Sequence, residues 1–291
     1  MKKGTETSSF GVSMRVGHNA EKFYQSNLYK GVTLHELHDN TVNQLSADVE
    51  NHIFQHSAEF MTELPDNSVH LMITSPPYNV TKEYDQNLTL HDYLRLIDNV
   101  MHEVYRVLVN GGRACINIAN VGRKPYIPLA DYINRIMTDI GFNNRGQIIW
   151  DKGASAGGSC AWGSWQSASN PSLRDVHEYI LIYSKGNLNR KKGIDTIRKQ
   201  DFLEWTKSIW HMNTESAKRV HHPAPFPEEL PHRLINLYSF KNDIVLDPFM
   251  GSGTTASAAL KNSRRYVGYE ISPEYIAVAN TRILTIGQLL M

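Results

Sequence analysis

Asp243-Ile244-Val245-Leu246-Asp247-Pro248-Phe249-Met250-Gly251-Ser252-Gly253-Thr254-Thr255 is the stretch whose reading decides the fold of this chain. A short apolar run, an acidic residue and a Gly-x-Gly turn lead into Ala256 to Lys261, whose small residues suit a helix. Strand, glycine turn and helix together make a nucleotide-binding corner. The glycines let backbone approach a ligand closely, and the helix N-terminus leaves N–H groups unpaired. Arg265-Tyr266-Val267-Gly268-Tyr269-Glu270 then reads as a further strand ending in a carboxylate, the place where α/β folds hold ribose hydroxyls. Gly-x-Gly alone is a weak signal. A nicotinamide-dependent dehydrogenase would show Gly-x-Gly-x-x-Gly, whereas the run here is Gly251-Ser252-Gly253-Thr254-Thr255-Ala256.

A second stretch lies far upstream. Val69-His70-Leu71-Met72-Ile73 reads as a buried strand and runs directly into Thr74-Ser75-Pro76-Pro77-Tyr78-Asn79. Consecutive prolines fix φ and lack N–H groups, so the strand stops and the turn is stiff. The turn presents a hydroxyl, backbone carbonyls and an aromatic face, which suits a flat ring bearing an amino group, such as a nucleobase. Both stretches fall at the carboxyl ends of predicted strands, where open α/β sheets bind ligands.

Taken together, the chain resembles the β class of S-adenosylmethionine-dependent DNA amino-methyltransferases. That family carries [Asp/Asn/Ser]-Pro-Pro-Tyr ahead of Asp-Pro-Phe-x-Gly-Ser-Gly-Thr-Thr, matched here by Ser75 to Tyr78 and by Asp247 to Thr255 in the same order. His222-Pro223-Ala224-Pro225-Phe226-Pro227 resembles its His-Pro-Ala-x-Phe-Pro segment. The resemblance implies an α/β, Rossmann-like methyltransferase fold: a mostly parallel central sheet with helices on both faces and a circularly permuted motif order. It implies S-adenosylmethionine as cofactor, double-stranded DNA as partner, a homodimer as a frequent family state, and association with restriction-modification.

The implied chemistry is transfer of the sulfonium methyl to the exocyclic amino nitrogen of a flipped base, cytosine N4 or adenine N6. That nitrogen is a poor nucleophile because its lone pair is delocalised into the ring. Acceptors at the Ser75 side chain and the Pro76 carbonyl would take its N–H groups and stabilise the positive charge that develops, with Pro76 and Pro77 holding them still. Tyr78 would stack on the base, and Asn79 is a DNA candidate. For the cofactor, Glu270 would accept from the ribose, while Asp247, Pro248, Phe249, Gly251, Gly253 and Thr254 would shape the methionine end and Phe226 would lie nearby. In the family, Ser at the first motif position leans toward cytosine. Many relatives carry a Gly-Asp pair where this chain has His56-Ser57, so one cofactor contact is not expected here. An RNA or protein-amide methyltransferase of the same fold, or a non-catalytic DNA-binding protein, are the alternatives.

The remaining sequence adds less. With 291 residues and 41% of them hydrophobic, the chain can bury one large core. Thirty basic against 29 acidic residues leave no bulk charge to draw nucleic acid, so a local patch is required. The expected patch is residues 186–219, an inserted target-recognition segment with Lys191, Lys192, Arg198 and Lys199 facing phosphate and Trp205 and Trp210 among them. Residues 1–50 are expected to be a partly mobile arm and 51–291 the catalytic domain. The two cysteines, Cys115 and Cys160, suit a reducing cytoplasm. No zinc-like spacing and no membrane-length apolar run occurs, so neither a metal nor a membrane is expected. A helix is expected over His91 to Val109, ended by Gly111-Gly112, and a strand with a short helix over Ile53 to Phe60.

Overall fold

The computed structural model describes residues 24–77, 88–153, 163–190, 193–214 and 226–290. The chain divides into two compact units, Met1–His35 and Glu36–Met291. The first contributes a short 3-10 turn, Asn27–Tyr29. The second therefore begins before the boundary expected at residue 51. The reason is local: Asn110 donates its amide to the Leu37 and Asp39 carbonyls (2.8 and 3.0 Å), which fastens the segment before the first strand to the catalytic unit.

Ten strands and six helices of that unit are described. In chain order they are β1 His52–Phe54, β2 Val69–Thr74, α1 Leu90–Val107, β3 Leu108–Ile118, β4 Val121–Gly122, β5 Tyr126–Ile127, α2 Leu129–Ile140, β6 Phe142–Asp151, β7 His177–Lys185, α3 Lys199–Trp205, β8 Ile209–His211, α4 Glu229–Tyr238, β9 Ile244–Asp247, α5 Thr254–Lys261, β10 Arg265–Tyr269 and α6 Pro273–Leu290. Eight strands form one sheet in the order β1-β10-β9-β2-β3-β7-β6-β8, and β4 pairs with β5 separately. Within the eight-stranded sheet only β7 runs against its neighbours, β3 and β6; the other pairings are parallel. This is the mostly parallel α/β sheet expected from the sequence.

Strand alternation sends successive side chains to opposite faces, and the core divides accordingly. Met72, Ala114, Ile116, Leu181, Leu246 and Val267 pack under α1 and α2 through Ile97, Met101, Val104, Ile133 and Met137. Leu71, Ile73, Cys115, Ile180, Ile182 and Val245 pack on the other face under α3, α4, α5 and α6, through Trp205, Leu234, Ala259 and Ala279 among others. Helices thus cover both faces, as a parallel sheet requires.

Two local expectations are corrected. Helix α1 stops at Val107, and both glycines lie inside β3. Gly111 adopts φ +78°, and a Cβ there would sit 2.6 Å from the Asn189 carbonyl. The β2–β3 register jumps between Val69↔Leu108 and Leu71↔Arg113, so the glycines serve a bulge rather than a helix end. Between β1 and β2 the chain makes turns, not a helix. Arg106 of α1 donates to the Met61 and Leu64 carbonyls (both 2.8 Å), and Glu103 accepts from the Met61 N–H, so these backbone groups are satisfied without helical bonds.

No helix among the described residues is long and apolar enough to cross a membrane. Ile97 is fully buried between α1 and the sheet. Ile97→Ala is expected to cost about 2–5 kcal/mol of unfolding free energy, measured as a lowered denaturant midpoint.

Candidate active site

The parallel strands end along one edge of the sheet, where Ser75 follows β2, the Pro248 to Gly253 turn follows β9 and Glu270 follows β10. Thr74 closes β2 and Asp247 closes β9, and these strands are adjacent in the sheet. The Thr74 hydroxyl donates to Asp247 Oδ1 at 2.7 Å across 173 residues of chain. The Thr255 hydroxyl, at the start of α5, donates to Asp247 Oδ2 at 2.6 Å, and the Phe249 N–H donates to Oδ1 at 3.1 Å. One carboxylate therefore joins the end of the serine-proline strand, the turn after β9 and the helix that follows it.

Asp247 is only 1% exposed. Burial pushes its pKa up to about 6, helped by the charge of Glu270 and opposed by the two threonine hydroxyls and the Phe249 N–H. The structure thus gives Asp247 an internal role: its oxygens face protein donors, and it positions the turn instead of reaching out to a ligand.

The glycine turn is held from two sides. Gly251 and Gly253 have φ of +51° and +78°. The Gly251 N–H donates to Glu270 Oε2 at 2.8 Å, and Glu270 Oε1 accepts from the Ser272 N–H at 2.9 Å. Burial raises the Glu270 pKa. From α6, Arg282 donates to the Ser252 carbonyl and hydroxyl and to the Thr254 hydroxyl (2.7, 3.1 and 3.2 Å). A Cβ on Gly253 would lie 2.9 Å from that of Ala279, so only glycine lets α6 press onto the turn. Thr254 is buried and begins α5, Pro248 is buried, and Phe249 and Phe226 pack against the two core clusters. The residues present fit a nucleoside sulfonium ligand. Glu270 stands half-buried as an acceptor at the end of β10, beside a glycine turn that opens α5.

Beyond the serine-proline turn the site continues onto β3, β7 and β6. Ser75 and Pro77 are half-buried and Pro76 is buried. Asn117 of β3 donates to Ser75 Oγ at 3.4 Å and to Glu178 Oε2 of β7 at 2.6 Å, and Lys152, just past β6, pairs with Glu178 Oε1 at 2.6 Å. Sequence reasoning passed over Thr74, Thr255, Asn117, Lys152, Glu178 and Arg282. A polar residue beside an apolar run was the available signal: Asn117 near the end of β3, Glu178 near the start of β7 and Lys152 just after Ile148-Ile149-Trp150.

The 186–219 segment is built differently from the expected insert. β8 within it joins the main sheet beside β6, so the segment completes the sheet edge. Trp205 and Trp210 are buried in the core and donate or pack internally, the Trp210 indole to the Trp205 carbonyl at 3.1 Å. They are not a stacking surface for nucleic acid. Arg190 pairs with Asp243, Arg198 with Asp201 at 2.6 Å and Lys207 with Glu204 at 2.5 Å, while Lys199 is exposed at the start of α3. Tyr78, Asn79, Lys191 and Lys192 lie outside the described residues. Among the described residues no group of three or more His, Cys, Asp or Glu could hold a metal ion.

Because Asp247 has a folded pKa near 6 against 3.8 in the unfolded chain, the folded state binds more protons between those values. Its contribution to stability is therefore present in full below about pH 4 and is lost as pH rises through about 6. The stability difference between wild type and Asp247→Asn should drift by on the order of 3 kcal/mol over that interval, read from denaturant unfolding at successive pH values. A pH-independent difference would place the titration elsewhere.

Residues 69–281 match the family model for DNA methylases of the N6/N4 type. The type II methyltransferase M.MjaI of Methanocaldococcus jannaschii is 33% identical over 269 residues, covering 78% of this chain and 88% of its own. M.MthZI of Methanothermobacter thermautotrophicus is 32% identical, covering 79% and 75%. Among solved structures, a Thermus thermophilus protein described as a DNA modification methylase, complexed with S-adenosyl-L-methionine, superposes with a TM-score of 0.65 at 31% identity, covering 84% of this chain and 96% of that one. The PvuII cytosine-N4-specific DNA methyltransferase shares the fold, with a TM-score of 0.66 at 20% identity over 84% and 92% of the two chains. With the glycine turn and the serine-proline turn tied to one carboxylate, the match extends from sequence to site: the chain belongs to the N6/N4 DNA methylase family and is a β-class, S-adenosylmethionine-dependent DNA amino-methyltransferase.

Proposed function

We propose that this enzyme methylates N4 of cytosine extruded from a specific duplex DNA site, with N6 of adenine as the second reading. The observation that carries the proposal is the link between Thr74 and Asp247 (2.7 Å). It sets Ser75 immediately beside the turn in which the cofactor is expected. Serine at the head of the motif favours cytosine by the family pattern, and adenine presents a similar amino group.

S-adenosylmethionine, when bound, supplies an electrophilic methyl on sulfur. The chain does the rest. The Ser75 oxygen and the Pro76 carbonyl accept the two N–H groups of the base and draw its nitrogen toward a tetrahedral form. The amino nitrogen held there would give its lone pair to that methyl, sulfur would keep the electron pair of the broken carbon–sulfur bond, and the surplus proton would pass from nitrogen to water. Pro76 and Pro77 keep the acceptors from swinging away, since each has a fixed φ. Tyr78 stacks on the flipped ring, and Asn79 contacts the nearby strand. Glu270 accepts from the ribose with lone pairs beyond those engaged by the Gly251 and Ser272 N–H groups. Lys199, exposed at the start of α3, and Arg198, which would leave Asp201 for the DNA backbone, supply positive charge for phosphate.

Ser75→Ala should slow methyl transfer by about 10²-fold while the Kd for S-adenosylmethionine stays near wild type. Wild-type turnover would remove Ser75 from the mechanism. Glu270→Ala should weaken cofactor binding by about tenfold or more in calorimetry; unchanged affinity would exclude the ribose contact. Mass spectrometry of nucleosides from DNA treated with enzyme and labelled cofactor should give N4-methylcytosine. N6-methyladenine would select the second reading, and unlabelled DNA beside labelled RNA would reject both.

A further inference from the structure

We propose that Asn117 and Glu178 are positioning residues for Ser75, forming with Lys152 a polar row that orients the serine and places a buried negative charge behind the reacting amino group. The inference rests on the reading of Ser75 as the acceptor of the base amino group.

The row follows from strand alternation. On one face of the sheet, β2 presents Leu71 and Ile73, β3 presents Cys115, β7 presents Ile182 and Ile180, and β6 presents Ile148 and Trp150, all in the same apolar cluster. One further step of two along each strand toward the ligand-binding edge replaces these with Ser75, Asn117, Glu178 and Lys152. The register brings them together. Thr74 pairs with Ile116, so Ser75 and Asn117 are level. Asn117 pairs with Ile180, and Trp150 with Glu178, so Asn117–Glu178 and Glu178–Lys152 are same-face diagonal neighbours.

The contacts give the row a direction. The Asn117 amide donates to both Ser75 Oγ (3.4 Å) and Glu178 Oε2 (2.6 Å), and Lys152 holds the other carboxylate oxygen at 2.6 Å. Asn117 and Glu178 are 2% and 7% exposed. A buried amide and carboxylate are costly unless hydrogen-bonded and paired, which Asn117, Glu178 and Lys152 achieve among themselves at the edge beside Ser75. An amide anchored to Glu178 holds the serine oxygen in one rotamer, which lets it accept from a base N–H without reorganising. The carboxylate stands two hydrogen bonds from Ser75 Oγ, and so three from the nitrogen on which positive charge builds, where negative potential favours the transition state over the bound base. Lys152, which also lies 5.4 Å from the Trp150 ring centroid, offsets part of the burial cost of that charge.

The test compares Ser75→Ala, Asn117→Ala, Glu178→Gln and the double variant Ser75→Ala/Asn117→Ala in single-turnover methyl transfer, with Kd for cofactor and DNA and Tm measured alongside. Asn117→Ala and Glu178→Gln should each slow transfer by about tenfold, less than loss of a directly contacting group, with both Kd values within about twofold of wild type. Glu178→Asp, which keeps the charge, should recover part of the rate. The double variant should be no slower than Ser75→Ala alone, because Asn117 acts through Ser75. Rates near wild type in Asn117→Ala and Glu178→Gln, or an additive loss in the double variant, would overturn the proposal. Should Glu178→Gln fail to fold, Asn117→Ala with its double variant decides alone. A Ser75→Ala variant that turns over normally would instead overturn the reading of Ser75 itself.

Discussion

The buried carboxylate of Asp247 is the interaction on which the rest of this site depends. Its two oxygens gather a hydroxyl from the end of β2, a hydroxyl from the start of α5 and a backbone N–H from the turn between β9 and α5. A buried acid with an upshifted pKa is costly to leave without donors, so the ends of two strands and the cap of a helix are drawn to one point. Two motifs far apart in the chain thereby share one edge of the sheet. The two motifs follow neighbouring strands, and their spacing is set by strand pairing rather than by loop conformation.

Around that point the labour is divided along the sheet. On one side, β9 and β10 end in the glycine turn and in Glu270, and α6 closes over them through Arg282 and Ala279. On the other side, Asn117 lies near the end of β3, Glu178 near the start of β7 and Lys152 just past β6. The antiparallel strand β7 matters here. It starts at the edge where its neighbours finish, so Glu178 near its beginning stands level with residues near the ends of β3 and β6. The glycine turn with Glu270 and the polar row at Ser75 thus lie on opposite halves of one sheet, meeting at β2.

The glycine turn shows why the motif is spelled as it is. Glu270 accepts from its backbone, Arg282 binds its carbonyl and hydroxyls, and Gly253 has no room for a side chain against Ala279. These contacts hold the turn before any ligand arrives, which lowers the ordering cost of binding. They also show that several motif residues work on the protein. Asp247 and Thr254 face inward, and Phe226 and Phe249 pack on core clusters.

Much of this was legible in the sequence, because it rests on short-range chemistry. Apolar runs halted by Pro76-Pro77 or by Gly251-Ser252-Gly253 announce strand ends, and the order of the two motifs implies the permuted methyltransferase sheet. What sequence could not supply was partnership between residues far apart. Trp205 and Trp210 stand among basic residues in an expected recognition segment, yet Trp205 ends α3 and Trp210 lies on β8, and both are buried in the core, where apolar burial outweighs exposure. Gly111-Gly112 looks like a helix end, yet the pairing of β2 with β3 makes it a bulge. Asn117, Glu178 and Lys152 show only a polar residue at the end of an apolar run, with nothing local to say that they meet. Local preference determined which segments became strands, turns and helices; only pairing register, a property of whole strands, decided which polar ends came to face one another.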